Sequence, residues 1–282
     1  MTGERFVRLG GVAHHVRVEG SGPVCVLSAG LALSWFDWDP VAALLAPHRT
    51  VVRFDRPGHG LSAPAPAAPT AEGEARRIAG LLDALGLPEP VTVVGHSIAG
   101  FHAEAFARLY PDRTAGLVLV DSSVEERVRV PAVPGLRTAA ARGLGAVLTA
   151  AGVPAALGPP ARRLTVRLSR HSGGDPAPPA RVRRCYASSR VTRGALLEYA
   201  HYGPVAAGLL ALRRRAPLPP GLPVTVLAAP DGSPRWGARQ RALAARLGAR
   251  YETAEPSGHL VMLDRPDAVV RAVLEQRGQC AV

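Results

Sequence analysis

The stretch VTVVGHSIAGFHAEAFARLYP, Val91–Pro111, joins an apolar run to a helical pattern through a turn of small residues. The run VTVVG predicts a buried strand, and Ile98–Tyr110 predicts a helix that ends before the proline. Between them, Gly95-His96-Ser97-Ile98-Ala99 places a serine on a tight turn with small residues two positions before and two positions after it. Such a turn lifts the serine hydroxyl above a sheet, and the flanking residues must be small because strand and helix nearly touch there. Ser97 is therefore a candidate nucleophile.

Apolar runs on both sides of this turn predict a sheet. Arg5–Leu9 and Ala13–Glu19 have the pattern of an opening antiparallel pair. The later runs, Val24–Ala29, Thr50–Asp55, Val91–Gly95, Leu117–Asp121 and Val224–Ala229, lack period-2 alternation, as parallel strands covered on both faces do. Helical patterns such as Glu74–Leu85 lie between them, so the fold class is α/β, with a mostly parallel central sheet and helices on both faces.

The segment 122–221 has a different composition. Strand-like runs vanish, and short helical stretches rich in Ala, Leu and Arg alternate with Pro and Gly. Ser122–Pro220 holds 16 arginines and 4 acids, and so accounts for the whole net charge of +12 of a chain without lysine. We expect one core formed by 1–121 and 222–282, with 122–221 inserted as a helical cap. The arginine surplus has two interpretations: a solvated helical face, or a positive surface near the site mouth that suits an anionic small-molecule substrate.

Three further segments complete a known pattern. Ala29-Gly30-Leu31 follows the first parallel run, Asp55–Ser62 (DRPGHGLS) follows the second, and Ser257-Gly258-His259-Leu260 precedes the last helix, for which Asp264 is the expected N-cap. In this order, and with the turn around Ser97, they resemble the serine-nucleophile branch of the α/β-hydrolase superfamily, with a helical cap. The resemblance covers nearly all of the chain outside 122–221 and implies the α/β-hydrolase fold.

Stabilisation of an oxyanion is expected from two backbone N–H groups. Ile98 N–H stands at the start of a helix, where backbone donors converge on negative charge. On the family match, Leu31 N–H is the second donor, although Ala29 replaces the histidine that usually opens that loop.

The remaining members of a Ser-His-Asp set are assigned in the same way. His259 is the candidate general base, because a serine hydroxyl needs a neighbour that accepts its proton near neutral pH. Asp231 lies in the loop where the superfamily most often places the acid, although one residue short of the usual position. Asp121, at the end of the preceding strand run, is the alternative acid.

These residues predict a hydrolase, similar to carboxylic ester hydrolases, that acts on a small-molecule ester or thioester by Ser-His-Asp acyl transfer. Two alternatives stay open: other chemistry on the same residues, such as carbon–carbon bond hydrolysis or perhydrolase activity, and a ligand receptor with little turnover. The serine nucleophile excludes the branches of the superfamily that use a carboxylate.

Other classes of site find no support in the sequence. No metal-ligand spacing or phosphate-binding glycine loop occurs, so no metal and no cofactor are expected. The arginine clusters lack interleaved aromatics, which argues against nucleic acid as a partner. The sequence has neither an apolar run of about 20 residues nor an apolar h-region near its start, so we expect a cytoplasmic protein without a membrane span.

Overall fold

A single sheet of eight strands organises the protein, whose computed structural model describes residues 3–126, 128, 134–229 and 233–276. The strands are β1 Gly3–Leu9, β2 Val12–Glu19, β3 Val24–Ser28, β4 Thr50–Phe54, β5 Val91–His96, β6 Thr114–Val120, β7 Val224–Ala228 and β8 Arg250–Thr253. Their spatial order is β1-β2-β4-β3-β5-β6-β7-β8. The β1–β2 and β2–β4 pairs are antiparallel, and every pair from β4 to β8 is parallel. The carboxyl ends of the parallel strands therefore share one edge, where ligand sites of open α/β sheets lie.

Helices cover both faces of the sheet. They are α1 Asp39–Leu45, α2 Ala71–Ala84, α3 Ala99–Leu109, α4 Pro134–Ala150, α5 Val153–Ser169, α6 Pro179–Tyr186, α7 Ser189–Arg215, α8 Pro234–Leu247, α9 Val261–Asp264 and α10 Pro266–Leu274. Ile78 of α2, Phe106 of α3 and Leu243 of α8 belong to the apolar core on one face. Leu45 of α1 and Val269 of α10 belong to the core on the other. This double cover is why the central strands β3, β5 and β7 are buried along their whole length.

The predicted mostly parallel α/β sheet and its opening antiparallel pair are confirmed. The strand β8 was missed, because Arg250–Thr253 is a short edge strand whose residues are all exposed or half-buried and form no apolar run. Asp264 does not cap the last helix, which begins after Arg265. It accepts hydrogen bonds instead from Gly258 N–H (3.0 Å) and His171 N–H (2.8 Å), and so joins two loops.

Four helices, α4 to α7, follow one another between β6 and β7. Arginines of this helical segment form ion pairs with acidic residues of the core. Arg213 at the end of α7 reaches Glu104 on α3 at 2.6 Å, and the buried Arg162 of α5 pairs with Asp37. Part of the arginine surplus thus serves to attach the helical segment to the sheet domain.

His102 on α3 is a buried histidine without a hydrogen-bond partner among the described residues. Burial lowers its pKa to about 4; the positive charges of Arg56 and Arg77 act in the same direction, and Glu74 and Glu198 oppose them. The ring is therefore neutral at neutral pH. In the unfolded chain it takes up a proton near pH 6.5.

This difference predicts acid destabilisation. Between pH 6.5 and about 4 the unfolded state binds more protons than the folded state, so His102 lowers the free energy of unfolding as the pH falls, by about 1.4 kcal/mol per pH unit. We expect His102→Leu to flatten the pH dependence of urea unfolding by up to one proton in this range. The exposed His48 is the matched control, and His48→Leu should leave the slope as it is. An equal slope for His102→Leu and the wild type would contradict the prediction.

Candidate active site

The turn between β5 and α3 holds Ser97 in a conformation that non-glycine residues rarely adopt. Its φ is +55°, in the left-handed region. Ser97 N–H donates to Val120 O (3.1 Å), and Ser97 O accepts from Gly100 N–H (2.9 Å) and Ser123 N–H (3.0 Å). Hydrogen bonds to the end of β6 on both sides of the serine keep the strained turn in place.

Close backbone contacts explain the small residues around the serine. A Cβ on Gly95 would lie 2.3 Å from Ala99 O, and a Cβ on Gly100 would lie 2.0 Å from Ser122 Oγ. Gly95 therefore requires glycine, because the close atom is backbone, and a larger residue at Gly100 would have to displace the side chain of Ser122. Ala99, the small residue two positions after the serine, is fully buried.

His259 and Asp121 meet at the carboxyl end of the sheet. His259 lies in the loop before α9, and its Nδ1 is 2.5 Å from Asp121 Oδ2. The other carboxylate oxygen of Asp121 accepts from Ala229 N–H (3.0 Å) and from the indole N–H of Trp236 (2.7 Å). The buried carboxylate thus has three donors. Because Nδ1–H of His259 bonds to the acid, Nε2 carries the lone pair that can accept a proton.

Backbone strain concentrates at this site. Within the described part of the chain, three non-glycine residues have positive φ: Ala32 at +57°, Ser97 at +55° and Asp121 at +39°. They lie next to the expected oxyanion donor Leu31, at the candidate nucleophile and at the residue bonded to His259. Strained backbone persists where the surrounding structure fixes it, and it is concentrated at functional sites.

A buried arginine orients the loop that carries Leu31. Arg56 donates to the carbonyl oxygens of Ala29 and Gly30, the latter at 2.8 Å. The trans peptide between Gly30 and Leu31 directs its C=O and N–H to opposite sides, so holding Gly30 O towards Arg56 turns Leu31 N–H away from it. Leu31 and Ile98 N–H donate to no protein group among the described residues, and both remain available to an oxyanion.

Arg56 is itself fixed by Glu198 of α7. Its Nε and one terminal nitrogen donate to the two carboxylate oxygens at 2.7 and 2.9 Å, and both side chains are buried. Burial alone would raise the pKa of Glu198. The charges of Arg56 and His59 outweigh that effect and hold the pKa of Glu198 well below its usual range. The pair therefore stays ionised and links the inserted helix α7 to the oxyanion loop.

His96, the residue before the candidate nucleophile, supports the base. Its Nε2 donates to the carbonyl oxygen of His259 at 2.8 Å, and the two rings lie 4.7 Å apart. Burial, the nearby His259 and Arg56 hold the pKa of His96 well below its ordinary value, so the ring is neutral. A neutral neighbour does not repel the imidazolium that His259 becomes when it accepts a proton.

One cavity, of about 470 Å³, contains Ser97, His96 and His259 on its wall. Most of the wall is apolar and includes Leu31, Leu33, Val166, Val191, Leu196 and Leu260. Arg162 is the one arginine that lines it in the described chain, and its charge is neutralised by Asp37 and Asp175. The uncompensated arginines therefore lie elsewhere, and the wall itself is suited to a neutral, apolar ligand.

The structure brings together Ser97, His259, Leu31, Ile98 and the alternative acid Asp121. Asp231, the first choice for the acid, lies outside the described residues. The described residues contain no cluster of three or more His, Cys, Asp or Glu side chains that could hold a metal ion.

The positioning roles of Arg56, Glu198 and His96 were missed. Arg56 and His96 stood in motifs already noted, but their partners are more than 25 residues away along the chain. Only the folded chain shows these contacts.

A serine on a strained strand-to-helix turn, with a His-Asp pair beside it at the carboxyl edge of a parallel sheet, defines the α/β-hydrolase class. The model of the alpha/beta hydrolase family matches residues 24–272. The chain belongs to this family.

Several characterised hydrolases are similar to the chain. The pimeloyl-[acyl-carrier protein] methyl ester esterase of Chromobacterium violaceum is 38% identical over 108 residues, 38% of this chain and 40% of that protein. The 2-(acetamidomethylene)succinate hydrolase of Mesorhizobium japonicum is 31% identical over 117 residues, 42% of each. The chain thus spans about two fifths of the length of these curated relatives. The crystal structure of the enol-lactonase from Burkholderia xenovorans LB400 superposes with a TM-score of 0.67 at 26% identity, covering 96% of this chain and 98% of that one.

The Arg56–Glu198 pair generates a prediction about rate. Glu198→Gln removes the charge that fixes Arg56, and a shift of Leu31 N–H by about 1 Å can cost on the order of 100-fold in turnover. We expect kcat on a model ester to fall about 10- to 100-fold with little change in KM, measured on protein shown to be folded by circular dichroism.

Glu104→Gln is the matched control, because Glu104 is an equally buried acid paired with Arg213 away from the cavity. It should lower the free energy of unfolding and leave kcat per folded molecule unchanged. Equal effects of the two variants on kcat would show that Glu198 acts through stability alone.

Proposed function

We propose that the protein is a serine hydrolase that cleaves a neutral, largely apolar small-molecule ester. The observation that carries the proposal is the His259–Asp121 hydrogen bond of 2.5 Å beside the cavity that Ser97, half-buried on its strained turn, lines. A base oriented by a buried acid, next to a serine hydroxyl, is the arrangement that nucleophilic acyl transfer requires.

The reaction follows from these positions. Ser97 Oγ attacks the ester carbonyl carbon while His259 Nε2 takes its proton, and the carbonyl oxygen becomes an oxyanion stabilised by Leu31 and Ile98 N–H. His259 then gives the proton to the leaving alcohol as the C–O bond breaks, which leaves an acyl group on Ser97. Water, deprotonated by the same histidine, attacks the acyl carbon and releases the acid. Asp121 holds the tautomer of His259 and stabilises the imidazolium in both steps.

The acid role is assigned to Asp121 in place of Asp231. Asp121 is buried, contacts His259 directly and is fixed by Ala229 and Trp236, so its carboxylate is oriented before substrate arrives. The superfamily places the acid after either of two strands, and here the contact to His259 is observed for the one after β6.

The substrate class follows from the cavity. A cavity of about 470 Å³ with a mostly apolar wall favours an acyl or alcohol group of aliphatic or aromatic character. Arg162, the one arginine on that wall among the described residues, is already neutralised by Asp37 and Asp175. A thioester fits the same reaction. The receptor alternative finds less support, because an oriented base, a buried acid and two free N–H donors serve turnover rather than binding.

The nucleophile assignment predicts a specific loss. We expect a fluorophosphonate probe to label the wild type on Ser97, as located by peptide mass spectrometry, and Ser97→Ala to lose both labelling and hydrolysis of p-nitrophenyl butyrate. The loss in kcat should approach about 10⁶-fold. Ser123 follows β6 and its backbone N–H bonds to Ser97 O, so Ser123→Ala is the control and should remain labelled. Substantial hydrolysis by Ser97→Ala would overturn the mechanism.

The acid assignment predicts a difference between two aspartates. Asp121→Asn cannot accept Nδ1–H as an anion, so we expect kcat to fall about 10⁴-fold, as it does when the orienting carboxylate is lost from a Ser-His-Asp set. Thermal unfolding should show that the variant is folded. Asp231→Asn should change kcat less than threefold, and the reverse pattern would return the acid role to Asp231.

A further inference from the structure

Exposed large apolar side chains concentrate on two helices of the insertion. Of the nine large hydrophobic residues that are exposed in the described chain, six lie on α4 and α5. We name this set the α4–α5 surface: Leu136, Leu144, Val147, Leu157, Leu164 and Leu168. Single exposed leucines are ordinary, but six large apolar side chains exposed on two consecutive helices indicate a surface that something covers.

On α5 the leucines form one stripe. Leu157, Leu164 and Leu168 are spaced by seven and four residues, which places them on the same side of a helix. Leu168 is 75% exposed, and the other two are 57% exposed. The side chains thus project from one side of α5 away from the core.

Residues of two different kinds flank the leucine stripe of α5. Each leucine is followed by a residue that lines the catalytic cavity: Gly158, Thr165 and Ser169. Leu164 and Leu168 are each preceded by an exposed arginine, Arg163 and Arg167. Since successive residues are about 100° apart around a helix, the apolar stripe runs between a row of arginines and the wall of the cavity.

The positive charge of the α4–α5 surface indicates what kind of partner covers it. Residues 134–169 contain five arginines and no acid. Arg162 is buried against Asp37 and Asp175, whereas Arg163 and Arg167 are exposed and make no ion pair with an acid of the described chain. Two copies related by a two-fold axis would place this positive face against itself. An anionic lipid surface instead offers apolar depth for the leucines and negative headgroups for the arginines.

The helix geometry suits a flat surface. No single helix among the described residues is long and apolar enough to cross a membrane; α4 and α5 pass that test only together, and they are bent by 105° at their junction. Two helices that meet at such an angle can both lie in the plane of an interface, with the apolar side of each inserted below the headgroups.

We propose that the α4–α5 surface docks the protein on an anionic lipid bilayer and opens the catalytic cavity beside the hydrocarbon. The docking rests on the exposed leucines and arginines alone. The consequence, that an apolar ester enters the cavity from the membrane, rests on the proposed function.

Vesicle sedimentation tests the docking. Full-length protein is mixed at low salt with vesicles of phosphatidylcholine containing 30% phosphatidylglycerol, or with pure phosphatidylcholine vesicles, and the bound fraction is measured. We expect the phosphatidylglycerol vesicles to bind at least about tenfold more strongly, and added salt to reduce the difference, since exposed charges are screened over about 8 Å at physiological ionic strength.

Matched variants separate the two contributions. Leu164→Ser with Leu168→Ser should weaken binding by about tenfold or more, because the inserted aliphatic groups are lost. Phe6→Ser with Leu44→Ser, exposed apolar residues of β1 and α1, is the control and should bind as the wild type does.

The arginines are tested in the same way. Arg163→Gln with Arg167→Gln should remove about tenfold of the preference for phosphatidylglycerol. The control pair Arg76→Gln with Arg214→Gln removes the same charge from α2 and the end of α7, and should leave the preference unchanged.

Three results would overturn the proposal: equal sedimentation with and without phosphatidylglycerol, an equal effect of variant and control pairs, or a dimer by light scattering that becomes a monomer in Leu164→Ser with Leu168→Ser.

Ser97→Ala separates docking from catalysis, because it should bind vesicles as the wild type does while hydrolysing nothing. Wild-type hydrolysis of p-nitrophenyl butyrate without vesicle binding would refute docking alone, and vesicle binding without any hydrolysis would refute the proposed function alone.

Discussion

The hydrogen bond between His259 and Asp121 joins positions 138 residues apart in the chain, and the site depends on it. One partner follows β6 and the other precedes α9, so the bond forms only when the sheet has brought the carboxyl ends of its strands to one edge. Asp121 is held from β7 and α8 as well, through Ala229 N–H and the Trp236 indole. The Asp121 carboxylate is therefore fixed by the strand next to it as well as by its own loop, and through its hydrogen bond it orients the His259 ring.

Backbone strain and close packing together hold Ser97 in its position on the turn. The positive φ of Ser97 costs of order 1–3 kcal/mol, and hydrogen bonds to β6 and tight contacts at Gly95 and Gly100 sustain it. The same surroundings hold Ala32 and Asp121 in left-handed conformations. The sheet beneath the site is packed by apolar core on both faces.

The helical insertion contributes to the site as well as covering it. Glu198 of α7 fixes Arg56, and Arg56 holds the carbonyl oxygens of Ala29 and Gly30, next to Leu31 on the wall of the cavity that contains Ser97. The insertion supplies part of the apolar wall of that cavity through Val166, Val191 and Leu196, and the exposed leucines of α5 lie beside its cavity-lining residues. Its arginines divide accordingly into those that bind acids of the core and those that remain exposed.

The sequence predicted the parallel sheet, the strained turn and the candidates Ser97 and His259, because these depend on local features: apolar runs, small residues around a turn, and motifs in a set order. It did not determine β8, an edge strand without an apolar run, or the choice between Asp121 and Asp231, since both follow core strands and the selection depends on which carboxylate reaches His259. The ion pair between Arg56 and Glu198 could not be predicted either, because the two residues are 142 positions apart in the chain. The positions of the arginines of the insertion could be read only from the folded chain. Composition gives the amount of charge in a segment, whereas packing against the core fixes which charges are paired, buried or exposed.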